Sequence, residues 1–176
     1  MKIIAFPLAA LTLLSELRAG TFGGLAIPAA ISPTDTAVVR VSGAAVDSAF
    51  RSLAASKSPA DIARDLPTGD VSRYQLVALS RRVAAAAELH EQWSDVVFVR
   101  SGTAVLRTGR TLTRRRALGQ GEYSGAEIAR GRDQSVGTGD VLVIPAGLAH
   151  QWRPTGDAAF SYVVLKVHPG RDRSGG

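Results

Sequence analysis

At 176 residues, the chain has the length of one domain and is long enough to bury a hydrophobic core. Hydrophobic residues make up 45% of the sequence and charged residues 20%, which is typical of a globular protein. Because the sequence contains no cysteine, disulfides, catalysis by a thiolate and metal sites with sulfur ligands are all excluded.

The formal net charge is +6, which could attract nucleic acid or an anionic membrane surface. Its densest run is Arg114 to Arg116, between two segments that resemble strands. Neither interleaved aromatic residues nor a recognition helix accompanies this run, so the pattern does not favour nucleic acid as a partner. We interpret the run as part of a solvated loop.

Residues 1–31 are predicted to be a signal peptide or an N-terminal extension. Lys2 precedes an apolar run over residues 3–14, an order that favours export to the periplasm or outside the cell. Pro7 interrupts the run and no typical cleavage site follows, so a cytoplasmic location stays open. The run is shorter than the roughly twenty apolar residues that span a bilayer, so no membrane span is expected.

Residues 37–71 are predicted to form a short strand and helical segments that pack on the main domain. The strand is expected at 37–41, where β-branched residues are frequent. Ser42 is a candidate cap for a helix that runs to about Ser56, because apolar residues recur there with helical spacing. Ser58 and Pro59 favour a second short helix that continues through Arg64.

The remainder of the chain is predicted to be all-β. Short apolar runs separated by turn residues indicate strands near 72–90, 95–100, 103–108, 126–130, 140–144, 149–153 and 159–167. Such spacing, without helices between the strands, is typical of a sandwich or barrel. Residues 110–124 are predicted to be a long mobile loop and residues 169–176 a disordered tail, so that the barrel covers residues 72–168.

Two blocks in this region carry candidate metal ligands. In the first, Glu88 and His90 are two residues apart and should project from the same face of a strand, and Asp95 begins the next strand after a turn. In the second, a buried strand is followed by a corner at Pro145 and Gly147, and then by His150. The corner would determine where His150 points, because proline fixes its φ angle and glycine permits unusual backbone angles.

The two blocks resemble the two motifs of the cupin superfamily, in particular those of small single-domain, RmlC-like bacterial cupins of the cupin 2 type. Glu88, His90, Asp95 and Gly102 stand at the spacing of the first motif, and the second is matched by Gly139, Pro145, Gly147 and His150. The resemblance implies a double-stranded β-helix, or jelly-roll barrel, with a short helical N-terminal extension. It also implies a divalent metal held by Glu88, His90, Asp95 and His150, and it makes a homodimer possible.

The sequence departs from the motif at its ligands, since Glu88 stands where cupins usually have a histidine and Asp95 where they usually have glutamate. Two imidazoles with a carboxylate suit Fe(II), while Mn(II), Zn(II) and Ni(II) remain compatible. The shorter Asp95 could instead form a hydrogen bond to a ligand or water. The alternative is a barrel without metal in which His90 and His150 are polar core residues, although two buried carboxylates favour a compensating cation.

Three residues are predicted to line a ligand pocket beside these side chains. Ala86 is expected on the same strand face as Glu88 and His90, Trp152 lies two residues beyond His150, and Trp93 lies in the turn between His90 and Asp95. Trp152 could equally be a core residue, since aromatic side chains dominate core burial. Val96 and Phe98 point away from the Asp95 face, and their outer side could be covered by the early helices or by a second subunit.

The site and the resemblance favour a small metal enzyme that acts on a small, oxygen-bearing organic substrate. A dioxygenase, an isomerase and a decarboxylase are not distinguished. The alternative is a non-catalytic module that binds a small molecule or a metal.

Overall fold

The fold is described from a computed structural model, which covers residues 38–56, 62–66 and 73–168. The predicted signal peptide, the cap at Ser58 and Pro59, and the predicted tail lie outside the described residues. In the described part of the chain, no helix is long and apolar enough to cross a membrane.

One α-helix, α1, spans Gly43–Ala55 and confirms the helix predicted after Ser42. The Ser42 side chain caps the helix by accepting a hydrogen bond from the amide of Ala45, which satisfies one of the free N–H groups of the first turn. Leu53 is buried on the inner face of the helix and packs with Leu66 and Ala78. The amphipathic pattern therefore anchors α1 to the strands.

Thirteen strands make up most of the rest of the described chain, which confirms the all-β prediction. They are β1 Ile62–Leu66, β2 Tyr74–Arg81, β3 Ala87–His90, β4 Ser94–Ser101, β5 Thr103–Gly109, β6 Thr111–Thr113, β7 Arg116–Gly119, β8 Glu122–Gly125, β9 Glu127–Ala129, β10 Arg132–Gly137, β11 Val141–Ile144, β12 Ala149–Thr155 and β13 Phe160–Val167. A five-stranded sheet has the order β1-β2-β13-β4-β11, and a six-stranded sheet the order β10-β5-β12-β3-β8-β7. A third, two-stranded sheet pairs β6 with β9.

The main core lies between the two large sheets. Inward-facing side chains of both sheets meet there, and their centre is an aromatic group of Trp152, Phe160 and Tyr162 with ring centroids 5.1–5.2 Å apart. Strand alternation explains this arrangement, because every second residue of β12 and β13 points to the interior. The same alternation places His150 on the inner face with Trp152.

Each large sheet is also covered over part of its outer face. α1 covers β1, β2 and part of β13, while the two-stranded sheet covers β3 and β12. Leu112 and Ile128 of the two-stranded sheet pack on Ala87 and Ala149, which are fully buried. Gly109 permits this close approach, since a Cβ atom at that position would lie 2.5 Å from the Ile128 side chain.

Several element predictions in the first half of the described chain are wrong. Residues 38–42 form no strand, and the segment through Arg64 is strand β1 instead of a helix, because it pairs antiparallel with β2 over its whole length. The single strand predicted for 72–90 is two strands that belong to different sheets. Residues 82–86 carry the chain from one sheet to the other.

The region predicted as a long loop is also different. Residues 110–124 contain β6, β7 and most of β8, and the next strand missed by the prediction is β10. Arg114, Arg115 and Arg116 are exposed, as expected for a solvated run, and Arg115 binds Glu91 and lies over the Tyr123 ring.

The outer face of β4 and β11 remains apolar and exposed. Phe98 is 44%, Val141 60% and Val143 67% exposed, and Phe98 and Val141 are cross-strand partners. α1 packs mainly on β1 and β2 and reaches β4 at Arg100, which pairs with Asp47 and lies over the Phe50 ring. Phe98 itself stays exposed, so in the described part of the chain the early helix, one of the two covers considered for it, leaves it uncovered. Its covering by a second subunit stays a prediction.

Candidate metal centre

The candidate ligands come together on the inner faces of the two large sheets. His150 on β12 and Glu88 on β3 are direct cross-strand partners, so their side chains project to the same side. His90 follows on the same face of β3. Asp95 enters from the opposite sheet, where it is the cross-strand partner of Lys166.

The imidazole Nε2 atoms of both histidines face the same carboxylate oxygens. Glu88 Oε2 lies 3.9 Å from His90 Nε2 and 3.9 Å from His150 Nε2. Asp95 Oδ2 lies 3.7 Å and 3.6 Å from the same two nitrogens. These separations are too long for hydrogen bonds, so the four atoms surround a common centre without binding one another directly.

The other nitrogen of each ring has its own acceptor. His90 Nδ1 binds the carboxylate of Glu122, and His150 Nδ1 lies 3.3 Å from the carbonyl oxygen of Leu148. Because each acceptor requires a proton on Nδ1, the neutral rings direct the Nε2 lone pair toward the common centre. This is the orientation in which histidine binds a metal.

The surroundings of Glu88 favour its ionised form, and 29% of its side chain is exposed. Burial raises the pKa of the carboxyl group, but the charges of Arg81 and Lys166, and those of His150 and His90 when these rings are protonated, lower it by more. The pKa of Glu88 therefore lies below its ordinary value of 4.5, which leaves a carboxylate available as a ligand near neutral pH.

His150 is held in its neutral form. Burial lowers its pKa, and the nearby His90 acts in the same direction. Asp95, Glu88 and the hydrogen bond to Leu148 raise the pKa but do not offset these effects, so it lies below the ordinary value of 6.5. A neutral imidazole is the form that binds metal.

The donor atoms form a group that could hold a divalent metal. Donor atoms of Glu88, His90 and His150 all lie within 4.8 Å of one another. In tetrahedral coordination with bonds of about 2.1 Å, ligand atoms are about 3.4 Å apart. The separations of 3.6–3.9 Å around Glu88 and Asp95 would need to shorten by only a few tenths of an ångström to match.

Protein cations already compensate the two carboxylates, which the sequence did not reveal. Lys166 Nζ lies 2.9 Å from Asp95 Oδ1, and the buried Arg81 stabilises the charge of Glu88. Arg81 also donates a hydrogen bond to the Tyr162 hydroxyl at 2.7 Å. The compensating cation that the two carboxylates favoured is therefore supplied at least in part by protein side chains, and the case for a metal depends on the geometry of the histidines.

The three residues predicted to line a pocket lie in different environments. Trp152 is 3% exposed and packs in the aromatic core, as its alternative interpretation expected. Ala86 is exposed and precedes β3, so strand alternation does not apply to it. Trp93 is half-buried, and its ring centroid lies 5.0 Å from that of His168 with the two rings nearly perpendicular. Their contact with a ligand stays a prediction.

Comparison with solved structures shows the same architecture elsewhere. A Bacillus halodurans protein of known crystal structure aligns with a TM-score of 0.52 at 20% identity, over 74% of this chain and 81% of its own. An uncharacterized conserved protein with a double-stranded β-helix domain, from Klebsiella pneumoniae, aligns with a TM-score of 0.51 at 15% identity, over 80% of this chain and 91% of its own. The chain has the cupin fold. No protein-family model and no curated protein matches its sequence.

The cupin fold explains why the two sequence blocks meet. The first motif becomes β3, its turn and β4, while the second becomes β11, the corner and β12. Gly147 adopts the positive φ of 78° in that corner, and its amide donates to the carbonyl of His90, which ties the two motifs together.

Glu122, like Lys166 and Arg81, lies beside the candidate ligands and was not predicted from the sequence. It lies on β8, within the region predicted as a loop, and is the cross-strand partner of His90. The available signal was a short alternating segment after Gly121, where Glu122 and Ser124 share one strand face.

Proposed function

We propose that this cupin-fold protein binds a divalent metal ion through Glu88, His90 and His150. The observation that carries the proposal is the matched orientation of two imidazoles, whose Nδ1 atoms bind Glu122 and the Leu148 carbonyl while their Nε2 atoms face a common centre. Two nitrogens and a carboxylate suit Fe(II), and Mn(II), Zn(II) and Ni(II) are compatible.

Asp95 is the fourth candidate ligand, and its two oxygens have different roles in this proposal. Oδ1 stays with Lys166 at 2.9 Å, while Oδ2 faces both Nε2 atoms. The lysine keeps the carboxylate in place, so Oδ2 can either complete the coordination or accept a hydrogen bond from a bound water or ligand. Asp95→Asn separates these two functions of Oδ2. Coordination of the metal depends on the full negative charge of the carboxylate, whereas accepting a hydrogen bond from water or a ligand does not.

The proposed activity is catalysis on a small, oxygen-bearing organic substrate. A bound divalent ion would supply Lewis acidity or activate oxygen. Glu88, His90 and His150 would occupy three positions, which leaves others for the substrate. Whether the reaction is a dioxygenation, an isomerisation or a decarboxylation depends on the substrate, which could be identified by mass spectrometry of the co-purified ligand.

Metal analysis of protein purified without a histidine tag tests the binding proposal. The wild-type protein should contain close to one equivalent of metal after reconstitution, while His90→Ala and His150→Ala should each lose most of it. His168→Ala is the matched control, because His168 binds Gln92 and lies outside the site. Equally low metal in the wild type and both site variants, with folding intact by circular dichroism, would contradict the proposal.

The second candidate is a non-catalytic module that binds a small molecule or a metal. The pairing of Asp95 with Lys166 favours it, since the interior charges do not depend on a metal ion for compensation. The nitric oxide adduct of the Fe(II)-loaded protein distinguishes the candidates, because an oxygenase needs an open position. If no adduct forms and no oxygen is consumed with small phenols, diketones or keto acids, the oxygenase version is excluded.

A further inference from the structure

A row of side chains crosses the inner face of the six-stranded sheet and passes through the candidate metal centre. Direct cross-strand partners project to the same side of a sheet. Following the pairing from one edge strand to the other, the row is Arg132, Thr108, His150, Glu88, Ser124 and Arg116. Arg132 therefore shares a face with His150 and is two strands away from it.

An open cleft of about 700 Å³ lies at the Arg132 end of this row. It adjoins the metal centre through Thr108, the cross-strand partner of His150, and Leu148, whose carbonyl binds the His150 ring. Its remaining lining residues are Gly109, Arg110, Thr111, Ala129, Arg130 and Arg132. Three arginines thus surround a space next to a candidate ligand.

Two other arginines, on the opposite face of the six-stranded sheet, are already paired with a carboxylate. Arg107 and Arg153 both bind the carboxylate of Asp133, at 3.0 Å and 2.5 Å. Within the part of the chain that the structure describes, no side chain forms an ion pair or hydrogen bond with the guanidinium groups of the cleft. The cleft therefore presents donors whose charge is not neutralised by any side chain of the described residues.

The interior charges would strengthen an anion's attraction to the cleft once a metal is bound. Lys166 pairs with Asp95, and Arg81 stabilises the charge of Glu88. Because these cations already offset the two carboxylates, the charge of a divalent ion would be only partly cancelled. An anionic substrate would then meet positive charge both at the metal and at the rim.

We infer that the substrate of this site is a small organic anion, whose carboxylate or phosphate group is bound by Arg132 and Arg130 at the cleft beside His150. The inference rests on the proposed metal site, since the cleft adjoins it. Guanidinium groups bind both anions in bidentate geometry, which explains arginine at these positions. Arg110, the third arginine that lines the cleft, would add long-range attraction.

Calorimetric titration of the Mn(II)-loaded protein tests the inference with three probes: malonate, inorganic phosphate and the neutral analogue malonamide. Malonate or phosphate should bind and malonamide should not, and the anion that binds identifies the recognised group. Arg132→Gln should weaken its binding about tenfold or more, the scale of one lost charge-assisted contact. The control is Arg51→Gln, which removes the same charge from the exposed surface of α1.

Arg130→Gly separates binding from folding. Arg130 has a positive φ of 51°, a conformation that glycine adopts without strain. This variant should therefore match or exceed the wild-type unfolding midpoint and still bind the anion about tenfold more weakly. Equal anion affinity in the wild type, Arg132→Gln and Arg130→Gly would overturn the inference, as would equal binding of malonamide or no binding of either anion.

Metal content, measured on the same samples, keeps the two proposals distinct. Protein that holds metal but shows no arginine dependence contradicts only the anion inference. Protein that holds no metal, yet binds malonate or phosphate in an Arg132-dependent way, contradicts only the metal proposal and supports the anion site.

Discussion

Replacing Glu122 with glutamine tests whether the carboxylate behind His90 orients a metal ligand. The substitution keeps the size of the side chain but removes the charged acceptor of the His90 Nδ1 proton. Loss of such a partner lowers metal affinity about 10- to 100-fold, which corresponds to about 1.4–2.7 kcal/mol. Because the Glu122 side chain is 18% exposed, water can replace part of the lost bond, so we expect the lower end, about tenfold.

Competition with a chromophoric chelator measures this change as a shift in the dissociation constant for Zn(II) or Co(II). Glu127→Gln is the matched control, because Glu127 is an exposed carboxylate on β9 that is not part of the site. It removes the same charge without touching His90. If Glu122→Gln and Glu127→Gln bind metal equally well, the carboxylate does not orient the ring and the assignment of its role is wrong.

Three further predictions concern stability. In the metal-free protein, the free energy of unfolding should decrease as the pH falls below 6.5, by up to about 1.4 kcal/mol per pH unit. The reason is that the pKa of His150 is lowered in the folded protein, so the unfolded chain binds more protons in this range. The lowered pKa of Glu88 should decrease the free energy of unfolding further below pH 4.5. Urea unfolding across this range checks it, and His150→Gln should lack the first decline. Gly102→Ala should destabilise the protein by about 1–3 kcal/mol, since Gly102 has a φ of 79° and a Cβ atom would lie 2.5 Å from a carbonyl oxygen. Gly139→Ala is the control and should lower the free energy of unfolding by less, because Gly139 has a positive φ but open space around the added Cβ atom. Trp152→Ala should cost about 3–5 kcal/mol in the same assay, and a loss below about 1 kcal/mol would contradict its core position.

The sequence predicted the central part of the fold because fixed offsets reflect strand geometry. His90 follows Glu88 by one strand period, and the corner at Pro145 and Gly147 returns the chain at a set distance from His150. The existence of the strands that carry these residues was predictable, and so were the approximate bounds of β4, β11 and β12, whereas β3 was merged with β2 into a single strand. How their side chains face one another across two sheets became visible only in three dimensions.

The missed elements share a different property, since tertiary pairing and not local pattern determines them. β10 is exposed at Arg132 to Ser135 and shows no apolar alternation, yet it pairs with β5 along its length. β1 follows a helix-capping pattern but is held as a strand by β2. Glu122 was missed for the same reason, because its strand is short and polar.

For protein engineering, the two-sided packing of β3 and β12 separates positions that can be varied from positions that cannot. The reverse faces of these strands are closed by Ala87 and Ala149, which have no exposed surface and leave no room for larger side chains. Thr108 and Ser124 flank His150 and Glu88 on the open face and are only partly buried. A library confined to these two positions would reshape the space beside the ligands while the layer that holds the ligand strands stays intact.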